Sequence, residues 1–384
     1  MTQSLRPVRI GFIPLADAAA LCVAVDKGFS AAEGLEATLV REVSWSNVRD
    51  KLNIGLFDAA HMLAPMAVAS SLGLGHVRAP LVAPFTLALN GNAITVSPGL
   101  HAALAAEGGN LADPVQSAAA LARVAKARAK AGREQLVFGM TFPFSAHNYL
   151  LRYWMAAGGL DPDEDVRLVV LPPPFMVDSL AHGQVDGFCV GAPWNSVAVE
   201  AGAGVVLHCS CEIFSDAVEK VLALRDSVAE REPELVAALT RALARAAAFV
   251  GAPENLDETA AILARADRVG VPAEILKRTL GGLMRLAPGE ALRPVADYLI
   301  IGDGRPSPTQ AAWLYAQMAR WGQAPLDLAL RDAARRTFRP DFYDAALGAG
   351  AGRAAPALRT CCGPAFDEND IDAYLRGFAI NRRI

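Results

Sequence analysis

The sequence predicts an α/β protein of two lobes that face each other across a cleft, followed by a helical C-terminal part. Three observations predict it. In the first 90 or so residues strand-type runs alternate with helical ones, the pattern of a largely parallel sheet that offers ligands the carboxyl ends of its strands. Turn-forming breaks at Asn90-Gly91-Asn92 and Pro193-Trp194-Asn195 interrupt apolar segments, as expected where a chain crosses between lobes. From Val228 onward every periodic segment is helical. A chain of 384 residues is long enough for two cores. The two crossings assign residues 1–91 and 196–384 to lobe 1 and residues 92–195 to lobe 2, with a hinge between them.

Taken in order, Val8 to Leu15 (VRIGFIPL) reads as a buried strand, with Asp17 as a cap for a helix that stops at Gly28. Leu35 to Arg41 alternates and is the second strand. Trp45 follows it in a loop, ahead of a helix from Val48 to Ile54, and Asp58 to Leu63 is the third strand. Leu81 to Val96 gives two strand pieces, and Leu100 to Lys130 gives two Ala-rich helices separated at Gly108-Gly109-Asn110. Leu136 to Met140 is a strand that Pro143 prevents from continuing, and Ser145 offers an N-cap hydroxyl to the next helix. Leu150, Leu151, Trp154 and Met155 recur at helical spacing until Gly158-Gly159 ends the run. His147 therefore falls in the first turn of a helix, beside free backbone N–H groups, where an anion is held. Arg167 to Leu171, Asp186 to Val190, Val205 to His208 and Val221 to Leu224 are further strands. Helices follow at Pro233 to Val250, Leu256 to Ala266, Pro272 to Leu280, Pro308 to Trp321 and Leu326 to Ala334, and residues 346–356 read as a surface loop.

Composition excludes several classes. At 53% hydrophobic, 20% charged and net charge −4, the chain is globular and gives nucleic acid no direct electrostatic purchase. The N-terminal run reads as the first strand rather than a secretory leader, which leads to the expectation of a cytoplasmic protein. The apolar stretch from Ala237 to Val250 is broken by Arg241 and Arg245 and is too short to span a bilayer. Cys22 and Cys189 read as small core residues, and neither Cys209-Ser-Cys211 nor Cys361-Cys362 has zinc or thioredoxin spacing, so no metal or redox site is expected. Asp161 to Asp165 lacks the glycine and terminal glutamate of a calcium loop. No nucleophile elbow, H-E-x-x-H, Walker loop or dinucleotide fingerprint occurs, and the expectation is a protein without catalysis or cofactor.

Anion binding fits better. It needs a helix N-terminus, a cation and neutral donors from several strand ends. Trp45 supplies an indole N–H, Asn92 an amide at the hinge, His147 an imidazole, and Lys220 an ammonium at the start of a late strand.

Eight stretches carry a resemblance: SWSNVRDKL (Ser44 to Leu52), AAHMLAPM (Ala59 to Met66), LNGNAITVS (Leu89 to Ser97), TFPFSAHNYLLRYWMAAGGLDPDEDV (Thr141 to Val166), DGFCVGAPWN (Asp186 to Asn195), EKVLAL (Glu219 to Leu224), MARWGQ (Met318 to Gln323) and RPDFYDAA (Arg339 to Ala346). In consistent order from about residue 8 to the C-terminus, the chain resembles the nitrate- and bicarbonate-binding family of ABC-transporter solute-binding proteins, especially its NasS-type cytosolic nitrate/nitrite sensors. The resemblance implies a type II periplasmic-binding-protein-like fold, two lobes closing on a small oxyanion. It implies that Trp45, Asn92, His147 and Lys220 hold nitrate or nitrite, since the family's Trp, amide, His and Lys positions fall on these four. It also implies ligand-controlled binding of a NasT-like RNA-binding antiterminator. A lysine at 220, where bicarbonate binders resemble this pattern with a carboxylate and calcium, suits a bare monoanion without metal. Phe144-Ser145-Ala146 and Ala192 depart from the family's pattern, at the lead-in to His147 and before Pro-Trp-Asn. The alternative readings are a solute-binding subunit of a nitrate transporter and, more distantly, a pyrimidine-synthase-like enzyme, whose Cys-rich motif this chain does not reproduce.

Overall fold

The computed structural model describes residues 4–75, 77–302, 304–352 and 357–382. Its strands are β1 (Arg6–Phe12), β2 (Leu35–Arg41), β3 (Ala59–Leu63), β4 (Leu81–Asn90), β5 (Asn92–Val96), β6 (Leu136–Met140), β7 (Val166–Val170), β8 (Gly187–Gly191), β9 (Val205–Cys209), β10 (Phe214–Ser215) and β11 (Val218–Arg225). All but β10, which pairs with residues 359–360, form two sheets. One has the order β4-β11-β3-β1-β2, with the short strand Leu299–Ile300 added beyond β4; the other has the order β7-β6-β8-β5-β9.

Both sheets are mixed rather than parallel throughout. β1 runs parallel to β2 and β3, and β6 runs parallel to β7 and β8, each pair joined through a helix as the alternation predicts. β11 is antiparallel to β3 and β4, and β5 is antiparallel to β8 and β9. These antiparallel strands flank the points where the chain passes between lobes, and a strand arriving from the other lobe enters its sheet from the opposite end.

β4 runs through Gly91 directly into β5 of the other sheet. The passage needs two left-handed residues, Asn90 at φ 58° and Gly91 at φ 85°, a backbone state that Asn and Gly tolerate best. The Asn90 side chain pins the passage, donating from Nδ2 to the Asp297 carbonyl at 2.8 Å and accepting from the Ala217 N–H at 3.3 Å. The return lies later than the expected crossing at Pro193–Asn195. β9 pairs with β5 in the five-stranded sheet, so on strand membership we place the return between Cys209 and Val218. Pro193 and the polar residues beside it resemble a crossing, but that turn only starts the helix Trp194–Glu200, which packs on β5, β8 and β9.

The strand interiors explain the cores. β3, β5 and β8 are buried at every position, and β11 at all but its last. Strands covered on both faces by helices read as near-continuous apolar runs. Ionisable or amide side chains inside such runs, namely His61, Asn92, Glu219 and Lys220, therefore need a specific reason to be there.

The C-terminal part is helical at Pro233–Gly251, Leu256–Ala264, Ala273–Leu280, Pro308–Arg320, Leu328–Thr337 and Pro340–Leu347. It also contributes strands the periodicity did not disclose, because two-residue strands at 283–284, 293–294, 299–300 and 359–360 are too short to show alternation. Residues 353–356 of the expected loop lie outside the described residues. Among the described residues no single helix is long and apolar enough to cross a membrane.

Candidate functional site

The four side chains singled out from sequence meet between the two sheets. Trp45 opens the helix Trp45–Asn53, not a loop, because Ser44 is the N-cap and accepts from the Asn47 N–H at 3.3 Å. Asn92 is the first residue of β5, Lys220 lies in β11, and His147 is the second residue of the helix Ala146–Ala157, whose N-cap Ser145 accepts from the Asn148 N–H at 3.1 Å. Three residues not assigned to the site from sequence complete it: Asp17 after β1, His61 in β3 and Glu219 beside Lys220. All seven are at most 2% exposed.

Lys220 is the centre. Its Nζ lies 2.7 Å from Glu219 Oε1 and 2.9 Å from Asp17 Oδ2, and 5.5 Å from the centroid of the Trp45 ring. The other Asp17 oxygen, Oδ1, is 2.9 Å from His61 Nε2, and the His61 ring stands 5.5 Å from that of Trp45. Asn92 Nδ2 donates to Glu219 Oε2 at 2.7 Å, which ties the second sheet to the first. His147 reaches the same carboxylate from the second lobe, with Nε2 at 3.6 Å from Glu219 Oε1 and Nδ1 at 3.0 Å from Thr141 Oγ1. Trp45 Nε1, Asn92 Oδ1 and His147 Nε2 have no hydrogen-bond partner among the described residues. Buried polar atoms are rarely left so, and here three cluster around one ammonium.

Adjacent residues of a flat strand point to opposite faces, so Glu219 and Lys220 meet only because β11 is irregular. Val218 opposes Leu89 and Lys220 opposes Ala88, which leaves Glu219 as the extra residue of a β-bulge. Bulges re-aim side chains, and this one turns two successive charges into one site.

Electrostatics follow from burial. Burial alone raises the Asp17 carboxyl, but Lys220 and His61 outweigh it and hold the group well below the usual carboxylate range. At Glu219 burial prevails over the attraction of Lys220, and the carboxyl is pushed above its ordinary value. Burial pulls Lys220 down, yet Asp17 and Glu219 together raise it, so the ammonium keeps its proton. Burial lowers both imidazoles, opposed at His61 by Asp17 and reinforced at His147 by Lys220, and both are neutral at neutral pH. With both carboxylates ionised the site holds one cation against two anions. A further negative charge there favours uptake of a proton.

The walls close the site. Trp194 Nε1 donates to the Pro14 carbonyl at 3.1 Å, the Arg49 guanidinium lies 5.5 Å from the Phe142 centroid, and Gln323 Nε2 donates to the Pro143 carbonyl at 3.1 Å. Gly191 of β8 lies against Asn92 and Asp17. A Cβ there meets Asn92 Oδ1 at 3.4 Å and Asp17 Oδ2 at 3.5 Å, ordinary contacts that the ligand-free fold accommodates. Gly191→Ala is expected to leave Tm within a few degrees of the parent while weakening anion binding by roughly tenfold or more. Parallel melting and titration calorimetry check it; equal affinities would place the ligand elsewhere.

Among the described residues no group of three or more His, Cys, Asp or Glu side chains is arranged to hold a metal ion. Lys220 stands between the two carboxylates that would otherwise serve as ligands.

A family model described as the NMT1-like family matches residues 2–264. The chain belongs to the NMT1-like family. This NMT1-like protein is 30% identical over 408 residues to the nitrate/nitrite binding protein NrtA of a Nostoc species, across 97% of its own length and 86% of that protein's. It is 34% identical over 383 residues to the bicarbonate transport ATP-binding protein CmpC of Synechococcus elongatus, across 98% of its own length but 55% of that protein's. The chain thus spans about half the length of the first curated relatives it matches. Its fold superimposes on the crystal structure of the periplasmic nitrate-binding protein NrtA from Synechocystis with a TM-score of 0.88 at 26% identity, covering 98% of this chain and 99% of that one. The two-lobed architecture is therefore periplasmic-binding-protein-like, the fold of the nitrate-binding protein NrtA.

Proposed function

We propose that this NMT1-like protein binds nitrate or nitrite between its lobes as a solute-binding protein. The observation that carries the reading is Lys220, a fully buried ammonium with unpartnered ring nitrogens of Trp45 (Nε1) and His147 (Nε2) around it. Asn92 joins them as a donor once its amide turns over, since its unpartnered atom is the acceptor Oδ1. Nitrate is planar, monoanionic and weakly basic, and it suits one cation and a few neutral donors in a dry site. A divalent oxyanion would add two negative charges to a centre that already holds two carboxylates. The likeness to NrtA supports the same ligand class.

Titration calorimetry with nitrate, nitrite and bicarbonate tests the proposal. Tight binding of either nitrogen oxyanion supports it, and bicarbonate alone would replace it. Bicarbonate is the rival because its O–H can donate to Asp17 or Glu219, which nitrate cannot do. Trp45→Phe keeps the ring against His61 and removes the indole N–H. It is expected to weaken nitrate binding by roughly five- to tenfold, the value of one hydrogen bond, with little loss of stability. An unchanged affinity by calorimetry would remove Trp45 from the ligand shell.

A finer reading goes beyond ligand binding. In it the protein is a cytoplasmic sensor whose closure over the anion changes its affinity for a NasT-like RNA-binding antiterminator. The resemblance of the eight quoted stretches supports it, while the named relatives support a role beside a transporter. A ligand shifts such an equilibrium only by binding one lobe arrangement better than the other. A pull-down of the antiterminator that is indifferent to millimolar nitrate and nitrite would sink the sensor reading and leave the binding one standing.

A further inference from the structure

Cys361 and Cys362 lie in the C-terminal segment that returns across the second lobe. Thr360 pairs with Phe214 of β10, and the Cys361 N–H donates to the Ile213 carbonyl at 2.9 Å. The Cys362 carbonyl accepts from Thr360 Oγ1 at 2.8 Å and from the Tyr153 hydroxyl. Tyr153 belongs to the helix that presents His147, and β10 lies on the return that leads to Glu219 and Lys220. The cysteine pair thus touches two elements of the anion site without being part of it.

Its chemistry differs from that of the other thiols. Cys22, Cys189 and Cys209 are buried, and burial pushes their thiols up; Cys211 is half-buried and is pushed up to about 12 for the same reason. Cys361 and Cys362 are both half-buried, with Sγ atoms 3.7 Å apart. Arg320, 2% exposed, packs on the same aromatic wall, 4.9 Å from the centroid of the Tyr153 ring whose hydroxyl bonds the Cys362 carbonyl and 3.6 Å from the Phe378 centroid. Its Nε donates to the Ile380 carbonyl at 3.3 Å, and its Nη1 has no hydrogen-bond partner among the described residues. Among those residues no carboxylate pairs with this guanidinium. The Cys361 thiol donating to Cys362, together with Arg320 and the Tyr153 hydroxyl, outweighs burial and the distant Asp113 and brings the Cys362 thiol down to about 7. Cys361, as the donor, is pushed up.

We propose that Cys361 and Cys362 form a dithiol site that reacts with small disulfides and trivalent arsenicals. The Cys362 thiolate attacks one sulfur of a small disulfide, forming a mixed disulfide and expelling one thiolate. Cys361 then loses its proton to water and attacks the Cys362 sulfur, expelling the second thiolate. Two protein thiols are oxidised, one small disulfide is reduced to two thiols, and Arg320 stabilises the attacking thiolate.

The test uses the full chain with glutathione disulfide and phenylarsine oxide, read by intact mass and peptide mapping. Glutathione disulfide is expected to remove the mass of two hydrogens from the protein and leave no adduct. Cys361→Ser, which has no resolving thiol, retains one glutathione on Cys362. One equivalent of phenylarsine oxide bonds to both sulfurs, its oxygen leaving with the two thiol protons as water, and so blocks Cys361 and Cys362 together; neither Cys361→Ser nor Cys362→Ser is protected. At pH 7 iodoacetamide labels Cys362 roughly tenfold faster than Cys211, reflecting its larger thiolate fraction. Reaction at Cys211 in preference, a persistent glutathione adduct on the parent protein, or no reaction before denaturation would each overturn the proposal. None of these readouts depends on which anion binds in the cleft.

Discussion

Lys220→Met is expected to abolish anion binding and to destabilise the protein at neutral pH by about 3–5 kcal/mol, the cost of leaving buried charges without their partner. Methionine preserves much of the length and apolar bulk of the stem, so the loss reports the ammonium. Asp17 and Glu219 sit 2.9 and 2.7 Å from Nζ, and neither has another full cation beside it in the site. The pH dependence separates this account from a simple packing defect. In the parent protein Asp17 is held below its ordinary value, so its contribution to stability is present above the unfolded-state pKa and is lost as pH falls through the folded one. Without Lys220 both carboxyls are governed by burial and rise above their unfolded values. The folded variant then binds protons better than its unfolded chain, and its stability falls as pH rises through the carboxylate range. Between pH 5 and pH 7.5 the parent's Asp17 contribution is constant, and only the raised Glu219 makes stability fall with pH. Denaturant unfolding should therefore show the variant's stability falling more steeply than the parent's, with the variant's deficit smaller at pH 5. A deficit equal at both values would mean that the carboxylates are not the cause.

Much of the cleft is legible in the amino-acid order because single residues carry it. Trp45, Asn92, His147 and Lys220 each stand next to a local signal: a helix start, a hinge turn, an N-cap or a strand start. The structure brings all four together. The other three carry weaker signals. Asp17 looks like an ordinary cap and is in fact a buried counter-ion. His61 is the lone polar residue in a strand buried at every position, a pattern that marks it in retrospect. Glu219 is hidden by the period of two, which sends it to the face opposite Lys220, and only the bulge brings it back. The return between lobes escaped for a related reason. Val205–Cys209 is short and wholly buried, and nothing in its own composition says which sheet it joins. Strand membership is a tertiary property, decided by what β5 leaves unpaired.

Glu219→Gln is expected to raise nitrate affinity by roughly ten- to hundredfold at pH 7.5 and to flatten its pH dependence. In the parent protein burial already holds the Glu219 carboxyl above its ordinary range. A monoanion placed against Lys220 adds a negative charge within a few ångströms, which raises the carboxyl further, so binding takes up a proton. Nitrate affinity should then fall as pH rises above the carboxylate range, because each binding event must supply that proton. The variant removes the requirement while keeping the shape. Its Oε1 still accepts from Lys220, and its amide can donate to Asn92 Oδ1, which has no partner, once the Asn92 amide turns over. Near a partly shielded ammonium one neighbouring charge is worth a few kcal/mol at an effective dielectric of about 20, which sets the size of the effect. Calorimetry in buffers of different ionisation enthalpy counts the proton directly: close to one taken up by the parent at alkaline pH and none by the variant. Bicarbonate gives the opposite sign, because its O–H is best accepted by an ionised Glu219, and the glutamine should weaken it. A variant that loses nitrate binding at every pH would show that Glu219 positions the ligand instead of opposing it, and the monoanion reading of the cleft would have to yield to one in which the ligand brings its own proton.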